Sequence, residues 1–342
     1  MRSPPKHPSL SQFMKKLVFA SSVCLLLAGG RLEPASALPV RTQVPFFLAQ
    51  SNNSTLTPST APAQVELLSA GAEPRQELRL SPIPNSKEVM TITTNMEAMS
   101  SVEGQAMPKF PVPTSVMKME TTITKVDPNG DIHAEFSYTD ADIVADPSVP
   151  PEIVKAMQSA LNQLVGFKGS FITDNRGHIK SGNFVLPEGG DPMVRQLIEQ
   201  VSNSLEQFSS PLPAEPIGIG AKWRVSSALD IAGMKLSQNA IYELVDLKDN
   251  VATLNVTIDQ QASTQRITSP GLPPEASLTL KSLNSQGQGQ IIMSLDSALP
   301  SRADLSISSQ TEMDVQAPNN GEEMTIETNL LMQMIMESQR QN

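Results

Sequence analysis

The alternation in Met90-Thr91-Ile92-Thr93-Thr94-Asn95-Met96-Glu97-Ala98 constrains the fold of this chain more than any other feature. Side chains of a strand leave on opposite faces with a period of two, so the segment reads as a strand buried on one face. Met324-Thr325-Ile326-Glu327-Thr328-Asn329-Leu330-Leu331-Met332-Gln333-Met334 repeats the pattern, and both segments begin M-T-I-x-T-N. That echo points to an internal duplication. Hairpin signals divide the chain in the same way. Val126-Asp127-Pro128-Asn129-Gly130-Asp131-Ile132 sets an Asn-Gly turn between METTITKV and DIHAEFSY. Leu244-Val245-Asp246-Leu247-Lys248-Asp249-Asn250-Val251 sets a similar turn between AIYELV and VATLNVTI. A glycine-bearing strand pair follows each, GFKGSFITDNRGHIKSGNFVL and GQGQIIMSLDSALPSRADLSIS. The expectation is two related β-meanders, residues 87–186 and 221–336.

Two helices are expected between them. Pro150-Pro151 precedes Glu152, Ile153, Met157, Ala160, Leu161 and Leu164 at helical spacing, with Gly166 as the stop. Asp191-Pro192 reads as an N-cap with proline at the first helical position, followed by an apolar face of Met193, Val194, Leu197, Ile198, Val201, Leu205 and Phe208. Pro211 and Pro213 close that helix. The expected fold is α+β and mostly antiparallel β: the meanders form a large curved sheet or open half-barrel, and the two helices cover its apolar face.

The N-terminus reads as an export signal. Met14-Lys15-Lys16 begins a positive stretch that is complete as a signal start, Leu17 to Ala28 is apolar, and Ala35-Ser36-Ala37 offers a small-x-small cleavage site. The apolar run is too short to cross a bilayer as a helix. Cys24 follows Val23 and Ser21 rather than the residues of a lipidation box, so cleavage after Ala37 leaves no cysteine and excludes disulfides and thiolate chemistry. Loss of residues 1–37 removes Arg2, Lys6, Lys15, Lys16, Arg31 and Glu33, leaving 20 basic against 34 acidic residues, a balance of −14. That charge opposes nucleic acid and anionic lipid surfaces. Residues 38–75, rich in Ser, Thr, Pro and Asn, read as a disordered linker in which Val65-Glu66-Leu67-Leu68 either docks locally or stays idle. The remainder, 76–342, reads as one β-rich domain in the periplasm or outside the cell.

The segment Pro216-Ile217-Gly218-Ile219-Gly220-Ala221-Lys222-Trp223 has glycines spaced like a nucleotide loop, but it lacks the third glycine and the helix after it. It reads as a turn into a strand, with Trp223 as a core anchor or a ligand-stacking residue. A P-x-G-x-G-x-x-W segment after a helix, with Thr-rich strand pairs and V-D-x-x-G turns, resembles an uncharacterised family of exported bacterial β-rich proteins, a domain of unknown function. The likeness spans Gln76 to Met336 and implies class and location without an activity. By looser analogy the architecture is similar to the open half-barrels of periplasmic lipoprotein carriers.

No catalytic, cofactor or metal set is expected. His133 and His178 lie just after hairpin turns without a nucleophile motif, and Asp140, Asp142 and Asp146 lack the glycine and glutamate of a calcium loop. The methionines stand out because they occupy strands where β-branched residues are the usual choice. A thioether face adapts to apolar partners. Met90, Met96, Met117, Met119, Trp223, Met332 and Met334 are therefore the candidate ligand residues, within a cavity lined by Met and Leu. The expected function is a non-enzymatic binding or carrier module for an apolar small molecule or lipid. A scaffolding envelope protein with a filled core, and a hydrolase with an unrecognised site, are the alternatives.

Overall fold

A computed structural model of the chain describes residues 63–185, 211–231, 234–267, 277–316 and 323–341. Within them the N-terminal part holds strands β1 (Gln64–Ser69), β2 (Lys87–Val102), β3 (Gln105–Ala106), β4 (Phe110–Pro111), β5 (Ser115–Val126) and β6 (Ile132–Ile143), helix α1 (Pro151–Asn162), and strands β7 (Lys168–Thr173) and β8 (Ile179–Val185). The C-terminal part holds β9 (Lys222–Ile231), β10 (Met234–Lys248), β11 (Val251–Ala262), β12 (Gln265–Ile267), β13 (Ser277–Ser294), β14 (Pro300–Gln316) and β15 (Glu323–Gln341). The sheet runs β1-β9-β10-β11-β13-β14-β15-β2-β5-β6-β7-β8, and each pair along this path is antiparallel. It is open, with β1 and β8 at its ends.

The M-T-I-x-T-N echo falls on neighbouring antiparallel strands of this order. Met90 pairs with Ser338 and Asn95 with Gln333, whereas Ile326 lies opposite Val102 at the far end of β2. One copy belongs to the strand that opens the first run and the other to the strand that closes the second. Both copies are long strands with one buried face.

The turns follow local chemistry. Asp249 and Asn250 both have positive φ (50° and 63°) and join Lys248 directly to Val251, a two-residue loop whose twist suits a hairpin. At the β5–β6 turn Gly130 takes φ 87°, where a Cβ would stand 2.7 Å from the Asn175 amide of the neighbouring hairpin. Helix α1 begins with Pro150 at its N-cap and Pro151 inside its first turn, and it buries Met157 and Leu161. These meet Ala141, Ile143 and Leu164 beneath β6. The second expected helix, from Asp191 to Phe208, lies outside the described residues.

Part of the segment expected as an idle linker is instead built into the sheet. Val65 and Leu67 of β1 pack on the core, Gln64 to Leu67 pair with Ser226 to Trp223, and Glu66 holds Arg224 at 2.7 Å. Alternation of Val65 and Leu67 across six residues suffices to cap an open edge once β9 is present to receive it.

The core sits at one end of the long strands. Trp223, Leu244, Leu254, Ile291, Ala303, Met336, Met90, Met119 and Phe136 join one cluster, so the sheet curls until strands from both runs pack together there. Leu78, Leu80, Leu212, Ile217 and Leu295 plug that end from the loops. At the opposite end two smaller clusters form, one around Leu280 and Met313 and one around Val315 and Ile326.

Candidate functional site

The P-x-G-x-G-x-x-W segment is a structural junction. Ala72 donates its N–H to the Ile219 carbonyl at 2.8 Å, Gln76 and Ile217 exchange both backbone bonds, and Gly220 donates to Leu244 at 2.7 Å. A Cβ on Gly218 would lie 1.8 Å from the Ala72 carbonyl oxygen, and Gly71 sits at φ 74° against the Gly218 carbonyl, so both positions require glycine. Trp223 beyond them is fully buried, stacks on Tyr242 at 5.5 Å and donates its indole N–H to the Pro211 carbonyl at 3.1 Å. It is the core anchor, and no face of it is open to a ligand.

The other candidate ligand residues divide by position. Met90 and Met119 are cross-strand neighbours buried in the packed end. Met117 and Met334 are half-buried at its margin, with Ile92 and Leu305. Met96 and Met332 face each other across β2 and β15, half-buried, and Ile307 pairs with Met332 on the other side. Cross-strand partners share a face, so these residues form one apolar stripe on the inner surface.

Beyond the stripe the inner surface turns polar, which sequence reasoning missed. Ser285 and Ser309 are buried and bonded hydroxyl to hydroxyl at 2.7 Å, Gln260 donates to Gln238 at 2.6 Å, and buried Thr328 meets Ser100 at 3.2 Å. These side chains cross the sheet as a waist between the two apolar ends. The signal was present as Ser and Thr at inward parity, but serines at outward parity beside them hide it.

Among the described residues, the titratable groups singled out in the sequence sit in separate local pairs. Asp127 accepts from His133 Nε2 at 2.7 Å and pairs with Lys125 at 2.5 Å, and these two partners hold its carboxyl below the usual range. Lys180 lowers Asp131 in the same way. His178, on the next hairpin, is pushed down by loss of solvent. Asp140 pairs with Lys118 at 3.0 Å, Asp142 accepts from the Ile143 N–H, and Asp146 accepts from the Ser148 N–H at 2.8 Å, so the three aspartates serve separate local structures. Among the described residues no cluster of three His, Cys, Asp or Glu is arranged to hold a metal. Glu88 is a buried carboxylate that sequence reasoning did not single out. Ser297 donates to its Oε1 at 2.7 Å and Arg340 stands 4.0 Å away.

A groove of about 510 Å³ lies against residues such as Asn239, Thr257, Gln288 and Ser306, on the surface opposite the methionines.

Comparison with known proteins adds little chemistry. No curated protein matches the chain. Among solved structures, the outer membrane protein OmpT of Vibrio cholerae aligns with 73% of this chain and 100% of its own at 6% identity and a TM-score of 0.18. The attachment invasion locus protein Ail of Yersinia pestis aligns with 74% of this chain and 99% of its own at 7% identity and a TM-score of 0.14. Residues 198–300, which hold the Gly218–Gly220 turn, Trp223 and all the strands from β9 to β13, match the model of a family of unknown function, DUF6263.

Proposed function

We propose that the protein is an exported binding module that takes an apolar ligand on the inner surface of its sheet. The observation that carries this reading is the stripe of half-buried Ile92, Met96, Met117, Ile307, Met332 and Met334 lying beside a packed core. A core filled for stability alone would bury such side chains at little cost, since each fully buried apolar side chain contributes roughly 1.5–3 kcal/mol. Thioethers suit ligands of varied shape. The polar waist of Ser285, Ser309 and Thr328, whose hydroxyls bond to one another and to Ser100, bounds one end of the stripe. The basic and apolar segments before Ala37 support export.

Native mass spectrometry of protein recovered from cells, with Nile red titration, tests the reading. Copurified mass and a bright, blue-shifted dye are expected, and Met332→Asp should weaken dye binding by about tenfold while Trp223 emission stays unchanged. A bare polypeptide mass together with no dye enhancement would overturn it.

A further inference from the structure

The groove on the outer surface has a chemistry of its own. Its walls are two cross-strand rows over β10, β11, β13 and β14. Asn239, Asp259, Gln286 and Ser308 make one row. Ile241, Thr257, Gln288 and Ser306 make the other. Neighbours within a row stand roughly 5 Å apart and the rows roughly 7 Å apart, as strand geometry dictates. Asn239 accepts from Ser226 at 2.7 Å and Asp259 accepts from Gln261 at 3.2 Å. The side chains of Thr257, Gln286, Gln288, Ser306 and Ser308 form no hydrogen bond to other described residues, so their donors and acceptors face outward uncommitted.

Elimination narrows the ligand. Among the described residues no Lys, Arg or His lines the groove, so phosphate, sulfate and other anions find no counter-charge there, and Asp259 repels them. All four strands are hydrogen-bonded on both sides at this level, from Asn239 with Ser226 to Ser306 with Gln333, so an extended peptide finds no free backbone edge to join. A hydrocarbon would strand the amides and hydroxyls without partners. A neutral, hydroxyl-rich ligand matches what remains. Each Gln amide offers an acceptor and two donors, which is what adjacent sugar hydroxyls take, and Ile241 offers an aliphatic surface for the C–H face of a ring. The volume of about 510 Å³ falls within the range of small-molecule sites and has room for more than one ring. We propose that this groove is a saccharide-binding site, separate from the methionine stripe on the opposite surface.

The full-length protein is titrated with cellohexaose, chitohexaose and maltohexaose while backbone amide shifts are followed. At least one should give saturable shifts centred on Gln286 and Gln288. Gln288→Ala should weaken binding by about tenfold and Asp259→Asn should weaken it measurably, with Trp223 emission unchanged in both. Met332→Asp should leave saccharide binding intact, which separates this site from the apolar one. The proposal is overturned if none of the three sugars shifts the groove at millimolar concentration, if both groove variants bind as the parent does, or if a neutral polar peptide shifts the groove and the sugars do not.

Discussion

Trp223 shows how one residue organises an end of this molecule. It is the only tryptophan of 342 residues. Its ring is closed off by Tyr242 on one face, and its single donor is satisfied by Pro211. The glycines before it exist so that residues 70–76 can lie against the turn that delivers it. Truncation leaves a ring-sized hole where Val225, Leu244 and Leu254 cannot close in, because each belongs to a paired strand. Trp223→Ala is expected to cost about 3–5 kcal/mol, read as a lowered urea midpoint. Native emission should be blue-shifted and shielded from quenchers. Red-shifted native emission with near-parental stability of the variant would contradict the anchor role.

At the scale of elements, β6 and the chain after α1 form an aromatic corner. Phe136 and Tyr138 project from β6, and Phe167 meets both at 5.9 and 6.3 Å. Phe167 is delivered by the turn at Gly166, φ 88°, whose N–H donates to the Tyr138 carbonyl at 2.8 Å. Burial pushes the Tyr138 phenol up to about 12, because the phenolate would lose its water there. A folded pKa above the unfolded one favours the folded state while the phenol is neutral. This contribution is complete below pH 10 and is lost as pH rises from 10 through about 12. The loss is roughly 2–3 kcal/mol. Urea midpoints measured from pH 9 to 12 should fall more steeply for the parent than for Tyr138→Phe, and parallel curves would refute the assignment. In β6 the alternation puts Phe136 and Tyr138 on the same buried face as Ile132 and Ala134. Their partner Phe167 lies past a helix, in a segment whose own periodicity does not assign it a face.

For the whole molecule the decisive contact is β15 against β2, paired from Lys87 with Gln341 to Val102 with Ile326. It joins the two runs into one sheet, and the main core draws from both. Strands of 16 to 19 residues such as β2, β13 and β15 exceed the usual strand length, so neither run could bury its inner face alone. Unfolding should therefore be a single transition. Trp223 fluorescence, which reports the β9 side, and far-UV circular dichroism should share one urea midpoint, whereas two separated midpoints would mean that the runs fold independently. Pairing residues so far apart in sequence must also follow costly loop closure, which makes refolding slow.

Alternation, turns and the proline-led helix were legible in the sequence because each depends on a few neighbouring residues. A period of two assigns faces to β2 and β15, Asp249-Asn250 makes a hairpin wherever it stands, and Pro151 followed by apolar spacing starts α1. The same local logic placed Trp223 at a strand start behind its glycines. The tertiary structure alone decided that β15 lies beside β2, that Gln64 to Leu67 cap the edge of β9, and that the methionines grade from buried Met90 and Met119 to half-buried Met96 and Met332. It alone decided, too, that Gln288 and Ser306 line a groove while serines of the same spacing pair inside. Which strand neighbours which is settled by burial shared among residues hundreds of positions apart, and by the curl that packs Trp223 and Phe136 into one core. No local pattern encodes either.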